Sequence, residues 1–227
     1  MDGNGRWATS RGLPRVKGHQ QGVESIRDVV TECARLEGLD YLTLYAFSRE
    51  NWKRPRMEVN FLMHLLKHFC RKELATMMKN SVRFTTIGAI SGLPADVRTE
   101  LKTTAQKTAA NTNLTLCLAL NYGARDEIVR AVRKVAVEAA AGEVSAREIT
   151  EERFAQYLDT SEFPDPDLII RTAGEMRLSN FLLWQASYAE LWFTPVLWPD
   201  FRNENLHEAL DAYSRRKRKF GAIGDDE

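Results

Sequence analysis

Leu114-Thr115-Leu116-Cys117-Leu118-Ala119-Leu120-Asn121 is apolar at six of its eight positions. A strand with one face in water alternates apolar and polar side chains, and this one does not. Both of its faces must therefore be covered, as in a central strand of a parallel sheet with helices on each side. The flanks agree. Asn121-Tyr122-Gly123 turns into a helical pattern from about Arg125 to Ala141, and Leu93-Pro94 opens another that runs to about Ala110. Strand patterns recur at Asp40–Phe47 (DYLTLYAF), Val82–Gly88, Asp167–Arg171 (DLIIR) and Glu190–Phe193 (ELWF). Helical patterns run from Gln20 to Leu36, Glu58 to Lys79, Glu151 to Leu158 and Asn205 to about Lys219. This alternation predicts an α/β single domain over residues 1–227. Its core is a mainly parallel central sheet of about six strands flanked by helices.

Length and composition agree with one domain. The 227 residues are 44% hydrophobic, enough for one sizeable core. Lys+Arg 32 against Asp+Glu 31 leaves a formal net charge of +1, so the balance gives no reason to expect a nucleic-acid partner. Cys33, Cys70 and Cys117 form no CxxC pair and lie in apolar patterns, which predicts buried free thiols in a reducing cytoplasmic setting. No apolar run reaches the length of about 18 residues that a spanning helix needs.

In open parallel sheets, ligands bind beyond the C-terminal ends of the strands. Four polar groups fall at such ends: the opening MDGNGRWA (1–8), SRENWKR (48–54), NYG (121–123) and RTAGEMRLSN (171–180). In the first, Gly3 and Gly5 let a ligand approach the backbone and Arg6 offers a planar cation to phosphate oxygens. Asp2 would repel a phosphate unless a divalent cation lay between them, so the stretch reads as a diphosphate-plus-Mg2+ site. It reads equally as a polar glycine turn. Because the chain opens directly on this loop, either Met1 is not the natural start or the first strand is missing. Arg11 to Gly18 reads as a mobile basic connection, with Arg15 and Lys17 as further phosphate contacts and His19 just before a helix. Arg171, Arg177 and Ser179 surround a glycine turn and could hold a second diphosphate, or could pair with Glu175 on the surface. Glu190, in an apolar run, needs a metal, an arginine or a hydrogen bond. His64 and His68 lack the context of a zinc site, and His207 reads as solvated. Two phosphate cradles without a P-loop, a GxGxxG or a GxSxG elbow fit a transfer with diphosphate as the leaving group.

Taken in order, MDGNGRWA (1–8), RxxGH (15–19), LTLYAFSRENWKRP (42–55), NYGARDEI (121–128), RTAGEMRLSNFLLWQ (171–185) and YAELWFTPVLWPDF (188–201) resemble the cis-prenyltransferase family, most closely its bacterial undecaprenyl diphosphate synthases. RTAGE stands where many members read RTGGE. The resemblance implies condensation of isopentenyl diphosphate onto an allylic diphosphate such as farnesyl diphosphate, with new Z double bonds. The expected product is undecaprenyl diphosphate for cell-wall glycan carriage. It implies Asp2, Asn51 and His19 as catalytic residues, and Asp2 with Glu190 as ligands of Mg2+. Gly3, Asn4, Gly5, Arg6, Trp7, Arg15, His19, Ser48, Trp52 and Arg54 would hold the allylic diphosphate. Arg171, Arg177 and Ser179 would hold isopentenyl diphosphate. Ser48, Asn51, Trp52, Arg54 and Glu58 map onto a segment that orders over substrate. An apolar tunnel is expected, with Leu62, Leu66 and Phe69 beside Ala46 and Leu118 as its lining. The resemblance also implies a cytoplasmic homodimer, with peripheral membrane contact for product release left open. The other readings are a non-catalytic lipid-diphosphate-binding partner subunit of this fold and a phosphohydrolase using the same cradles.

Overall fold

The computed structural model describes residues 1–216. Its helices are α1 (Asn4–Thr9), α2 (Arg15–Cys33), α3 (Arg56–Lys79), α4 (Ala95–Thr108), α5 (Ala124–Ala140), α6 (Glu151–Ala155) and α7 (Asn203–Ser214). The strands are β1 (Tyr41–Ser48), β2 (Val82–Ile87), β3 (Leu114–Tyr122), β4 (Leu168–Arg171) and β5 (Glu190–Phe193). A short 3-10 helix, Arg49–Lys53, follows β1. The expected end of the last helix near Lys219 lies outside the described residues.

β3 is central, with β1 and β2 paired to it in parallel on either side. Its near-continuous apolar sequence is explained by two-sided burial. Leu114, Leu116, Leu118 and Leu120 pack into the main core with Val29, Met63, Phe69, Val97 and Leu101 from α2, α3 and α4. Cys117 and Ala119, pointing the other way, join Ile87, Tyr122, Ala124 and Leu182. Removing a fully buried leucine of this kind from water contributes about 1.5–3 kcal/mol. α2 and α3 are also pinned by Arg27, whose guanidinium donates to the buried Glu73 carboxylate from Nε at 3.0 Å and Nη2 at 2.6 Å. All three cysteines are free and buried, and burial pushes each thiol up to about 12. No helix among the described residues is long and apolar enough to cross a membrane.

Three expectations are corrected. The sheet is not six-stranded: the described residues form a three-stranded group, β1-β3-β2, and a separate parallel pair, β4-β5. β1 and β4 share no ladder, and residues of both line one cavity. The opening eight residues are not a plain loop, because Gly3 at φ 102° turns the chain into α1. Arg11–Gly18 is not a long connection either. Pro14, with φ fixed near the helical value, starts α2 at Arg15, so Arg15, Lys17 and His19 sit on its first turns.

Candidate active site

Asp2 enters the site from one end of the chain and Arg171, the last residue of β4, from the other. The Arg171 Nη2 donates to Asp2 Oδ2 at 3.0 Å across 169 positions of sequence. Thr172 fixes the same junction twice: its buried Oγ1 accepts the Asp2 N–H at 2.8 Å and donates to the Asp2 carbonyl at 2.9 Å. The Gly3 N–H also donates to Asp2 Oδ1, at 2.7 Å. Partial burial pushes the Asp2 carboxyl up, but the Gly3 N–H and the Arg171 guanidinium outweigh it and hold it below its ordinary value. The carboxylate is therefore ionised at neutral pH.

Around it the second cradle closes. Arg171 Nη1 donates to Ser179 Oγ at 2.8 Å and to the carbonyl of Arg177. Glu175 stands between the two cradles, 3.0 Å from Arg6 and paired with Arg177. Arg6 itself is 3.8 Å from Asp2. A carboxylate shared by two half-exposed arginines marks a place where an incoming polyanion finds cations already gathered.

The first cradle depends on the absence of side chains. At Gly5 a Cβ would lie 2.8 Å from the Arg15 guanidinium carbon, and at Gly18 it would lie 1.8 Å from the Asn4 carbonyl oxygen. The glycines let α1 rest directly on α2 and bring Arg15 over the opening turn. Below it, the buried Glu58 of α3 accepts from Arg54 at 3.0 Å and faces Arg15 at 3.5 Å and His19 at 3.4 Å. Burial, then the neighbouring Arg54, lowers the His19 ring below 6.5 against the opposing pull of Glu58. The 3-10 turn is closed by Asn51, whose Oδ1 accepts the Ser48 N–H at 3.2 Å. Asn4 Oδ1 is buried without a partner.

These residues open on a cavity of about 1310 Å3. Gly3, Asn4, Gly5, Arg6, Arg15, His19, Ser48, Asn51 and Arg54 line its mouth together with Asp2, Arg171, Arg177 and Ser179. Leu62, Leu66, Phe69, Ala46 and Leu118 line it as well, while an apolar tunnel behind it remains an expectation.

Three predicted site residues lie elsewhere. Trp7 turns its Nε1 to Asp200 at 2.7 Å and stacks under Arg11. Trp52 donates to Asn121 Oδ1 at 2.8 Å and packs edge-on against Phe47. Glu190 is the first residue of β5, in register with Leu168, whereas Arg171 pairs with Phe193 at the other end of the ladder. Three residues of strand separate those levels, about 10 Å. Glu190 ion-pairs with Arg216, so one chain does not bring it to Asp2. His207, expected to be solvated, donates from its Nε2 to the Glu32 carboxylate at 2.9 Å. Sequence reasoning gave no role to Thr172, to Glu175 as the bridge between cradles, or to Asn180, whose amide reaches Glu50 at 3.0 Å. Thr172 and Glu175 stood inside a motif already singled out, but Asp2, the partner of Thr172, and Arg6, the second partner of Glu175, are remote in sequence.

The residues present can be tested against a divalent cation. Among the described residues no group of three His, Cys, Asp or Glu could hold one. Asp2 is an ionised, partly exposed carboxylate between the two groups of arginines. That donor set fits Mg2+, which keeps most of its waters and is commonly held by one or two carboxylates plus substrate phosphates.

A family model described as putative undecaprenyl diphosphate synthase matches residues 1–221. The chain is 53% identical to an isoprenyl transferase of Agrobacterium fabrum, over 99% of this chain and 91% of that one. It is 51% identical to an isoprenyl transferase of Clostridium perfringens, over 98% and 88%. Lavandulyl diphosphate synthase from Lavandula x intermedia, solved in complex with dimethylallyl diphosphate, superposes with a TM-score of 0.93 at 41% identity, covering 97% of this chain and 95% of that one. A probable undecaprenyl diphosphate synthase from Campylobacter jejuni gives 0.78 at 37%, covering 89% and 92%. With the motifs in family order and both arginine groups gathered at one cavity mouth, the chain belongs to the undecaprenyl diphosphate synthase family of prenyltransferases.

Proposed function

We propose that the chain elongates an allylic diphosphate, farnesyl diphosphate being the expected primer, by successive cis additions of isopentenyl diphosphate to give undecaprenyl diphosphate. The observation that carries this reading is the meeting of Asp2 and Arg171 at a cavity that Leu62, Leu66, Phe69 and Leu118 also line. A diphosphate head needs the first and a growing hydrocarbon needs the second.

In this reading, Arg6 and Arg15 hold the allylic diphosphate with the opening turn, and Arg54 approaches from the segment after β1. Arg171, Arg177 and Ser179 hold isopentenyl diphosphate. The allylic carbon–oxygen bond breaks, the diphosphate leaves with the electron pair, and the alkene of isopentenyl diphosphate attacks the carbon. Loss of a proton then gives the Z double bond. The guanidiniums stand where the leaving group's charge grows, which is where fixed cations accelerate a reaction most. Two cradles anchored to one junction keep donor and acceptor in line. His19 is held neutral, so it does not neutralise the Glu58 carboxylate that positions Arg15 and Arg54. Asp2 would hold Mg2+ with the substrate phosphates, supplying Lewis-acid stabilisation of the departing diphosphate.

Tyr188 and Leu191, just before and within β5, are exposed, and a second copy packing there in a homodimer would cover them. A non-catalytic partner subunit has less support, because Asp2, Arg6, Arg171 and Arg177 remain gathered at the cavity.

Asp2→Ala is the decisive variant. Incorporation of labelled isopentenyl diphosphate should fall by a factor of about 10^3 or more while the thermal midpoint stays near wild type. Turnover that survives this change contradicts the role given to Asp2.

A further inference from the structure

Asn180 touches three parts of the molecule at once. Its carbonyl accepts the Ala124 N–H at 2.8 Å and its Oδ1 accepts the Arg125 N–H at 2.9 Å, which seats it on the start of α5. Its Nδ2 donates to Glu50 Oε1 at 3.0 Å. The residue before it is Ser179, whose hydroxyl receives Arg171. Glu50 belongs to the turn between Ser48 and Arg54, which serves the other cradle. One side-chain hydrogen bond therefore joins the loop of the isopentenyl side to the turn of the allylic side. Ser179 and Asn180 both sit at positive φ, 51° and 64°, so this loop is held in a shape that the free chain would not favour.

We propose that the Asn180–Glu50 pair is a positioning link that sets the two diphosphate cradles against each other, so that the Glu50 turn governs the binding of isopentenyl diphosphate. This rests on the elongase reading above. The bond runs from an amide to a carboxylate, the stronger class of hydrogen bond. Partial burial pushes the Glu50 carboxyl up, but Asn180 and the local backbone outweigh it and keep it ionised. The same turn is also tied to α5 by Arg49 and Asp126 at 2.7 Å; both ties lie at the surface, and the ion pair is the one that salt weakens. Displacement of reacting groups by about 1 Å can cost a factor of about 10^2 in rate, so a link between cradles matters to the chemistry without touching substrate.

The test exchanges donor and acceptor. Asn180→Asp keeps the oxygen that receives the Arg125 N–H but sets a carboxylate against Glu50. With farnesyl diphosphate saturating, it should raise KM for isopentenyl diphosphate about tenfold and change kcat less. Glu50→Gln still offers an oxygen to Asn180 and should stay within about twofold of wild type. The double variant restores a donor–acceptor pair in reverse, and its KM should return to within about threefold of wild type. Glu50→Ala breaks the bond from the exposed turn and should reproduce the KM increase even where Asn180→Asp folds poorly. A double variant no better than Asn180→Asp, or a Glu50→Ala effect confined to farnesyl diphosphate, overturns the link. A wild-type protein that makes no longer prenyl chain overturns the elongase reading itself, which that arm reads separately.

Discussion

At the scale of single residues, the site is built from groups whose charge is set by neighbours distant in sequence. His19 shows this well. Its adjacent basic residues and its place before a helix marked it as a candidate, but nothing in the sequence announced Glu58, 39 positions on, as the group it faces. Its pKa is lowered by burial first and by Arg54 second. As pH falls, the unfolded chain therefore takes up the proton before the folded one does. The stability contributed by the neutral ring is present above about 6.5 and is lost as pH drops through that value toward the lower folded pKa. Comparing unfolding free energies at pH 7.5 and 5.5 should show a steeper loss for wild type than for His19→Gln. An NMR titration should place the His19 midpoint below 6.5, and a midpoint above it would refute the assigned environment. Asp2 and Arg171 were legible as charged residues in glycine turns. Glu190 was misplaced, because a strand residue's level along the ladder depends on register, which its own sequence does not state.

Among the elements, periodicity carried most of the information. β3 declared its two-sided burial, and the strands after it were found within a residue or two, since apolar runs bounded by glycine and proline leave few alternatives. The first eighteen residues were read less well. Gly3, Gly5 and Gly18 looked like marks of a loop, yet Gly3 turns the chain into α1, and Gly5 and Gly18 sit where α1 lies on α2. Glycine reports both freedom of the backbone and closeness of approach, and one sequence cannot separate them. Gly18→Ala separates them by experiment. Inside a helix, alanine is favoured over glycine by about 1 kcal/mol. Here the added Cβ would lie 1.8 Å from the backbone carbonyl of Asn4, which no side-chain rotation relieves. The net effect should be destabilisation of about 1–3 kcal/mol with displacement of α1, read as a lower thermal midpoint together with a raised KM for the allylic substrate. A stabilised variant with unchanged kinetics would show that α1 and α2 are not in contact in solution.

Across the whole molecule, the cavity between the sheet groups raises the question of where a long chain would lie. Its walls are not alike. On one side run the edges of β1 and β4, which share no ladder and carry backbone groups that hydrocarbon cannot satisfy. Val23 and Ile26 of α2 and Leu62, Leu66 and Phe69 of α3 also line the cavity. A growing prenyl chain is therefore favoured along the helical wall, where it covers apolar surface at about 25 cal/mol per Å2 without stranding a polar group. Under the proposed elongation, a fold shared with a lavandulyl diphosphate synthase would leave product length to the side chains that line the cavity. Leu66 stands between Leu62 and Phe69 on α3, and all three line the cavity. Leu66→Trp fills the path with a ring that neighbouring side chains cannot absorb without strain. With farnesyl diphosphate and isopentenyl diphosphate as substrates, chromatography should show products several isoprene units shorter than wild type, while the first addition proceeds within about threefold of the wild-type rate because the cradles are untouched. An unchanged product length would place the hydrocarbon along the strand edges instead, and those edges would then have to be covered by something other than solvent.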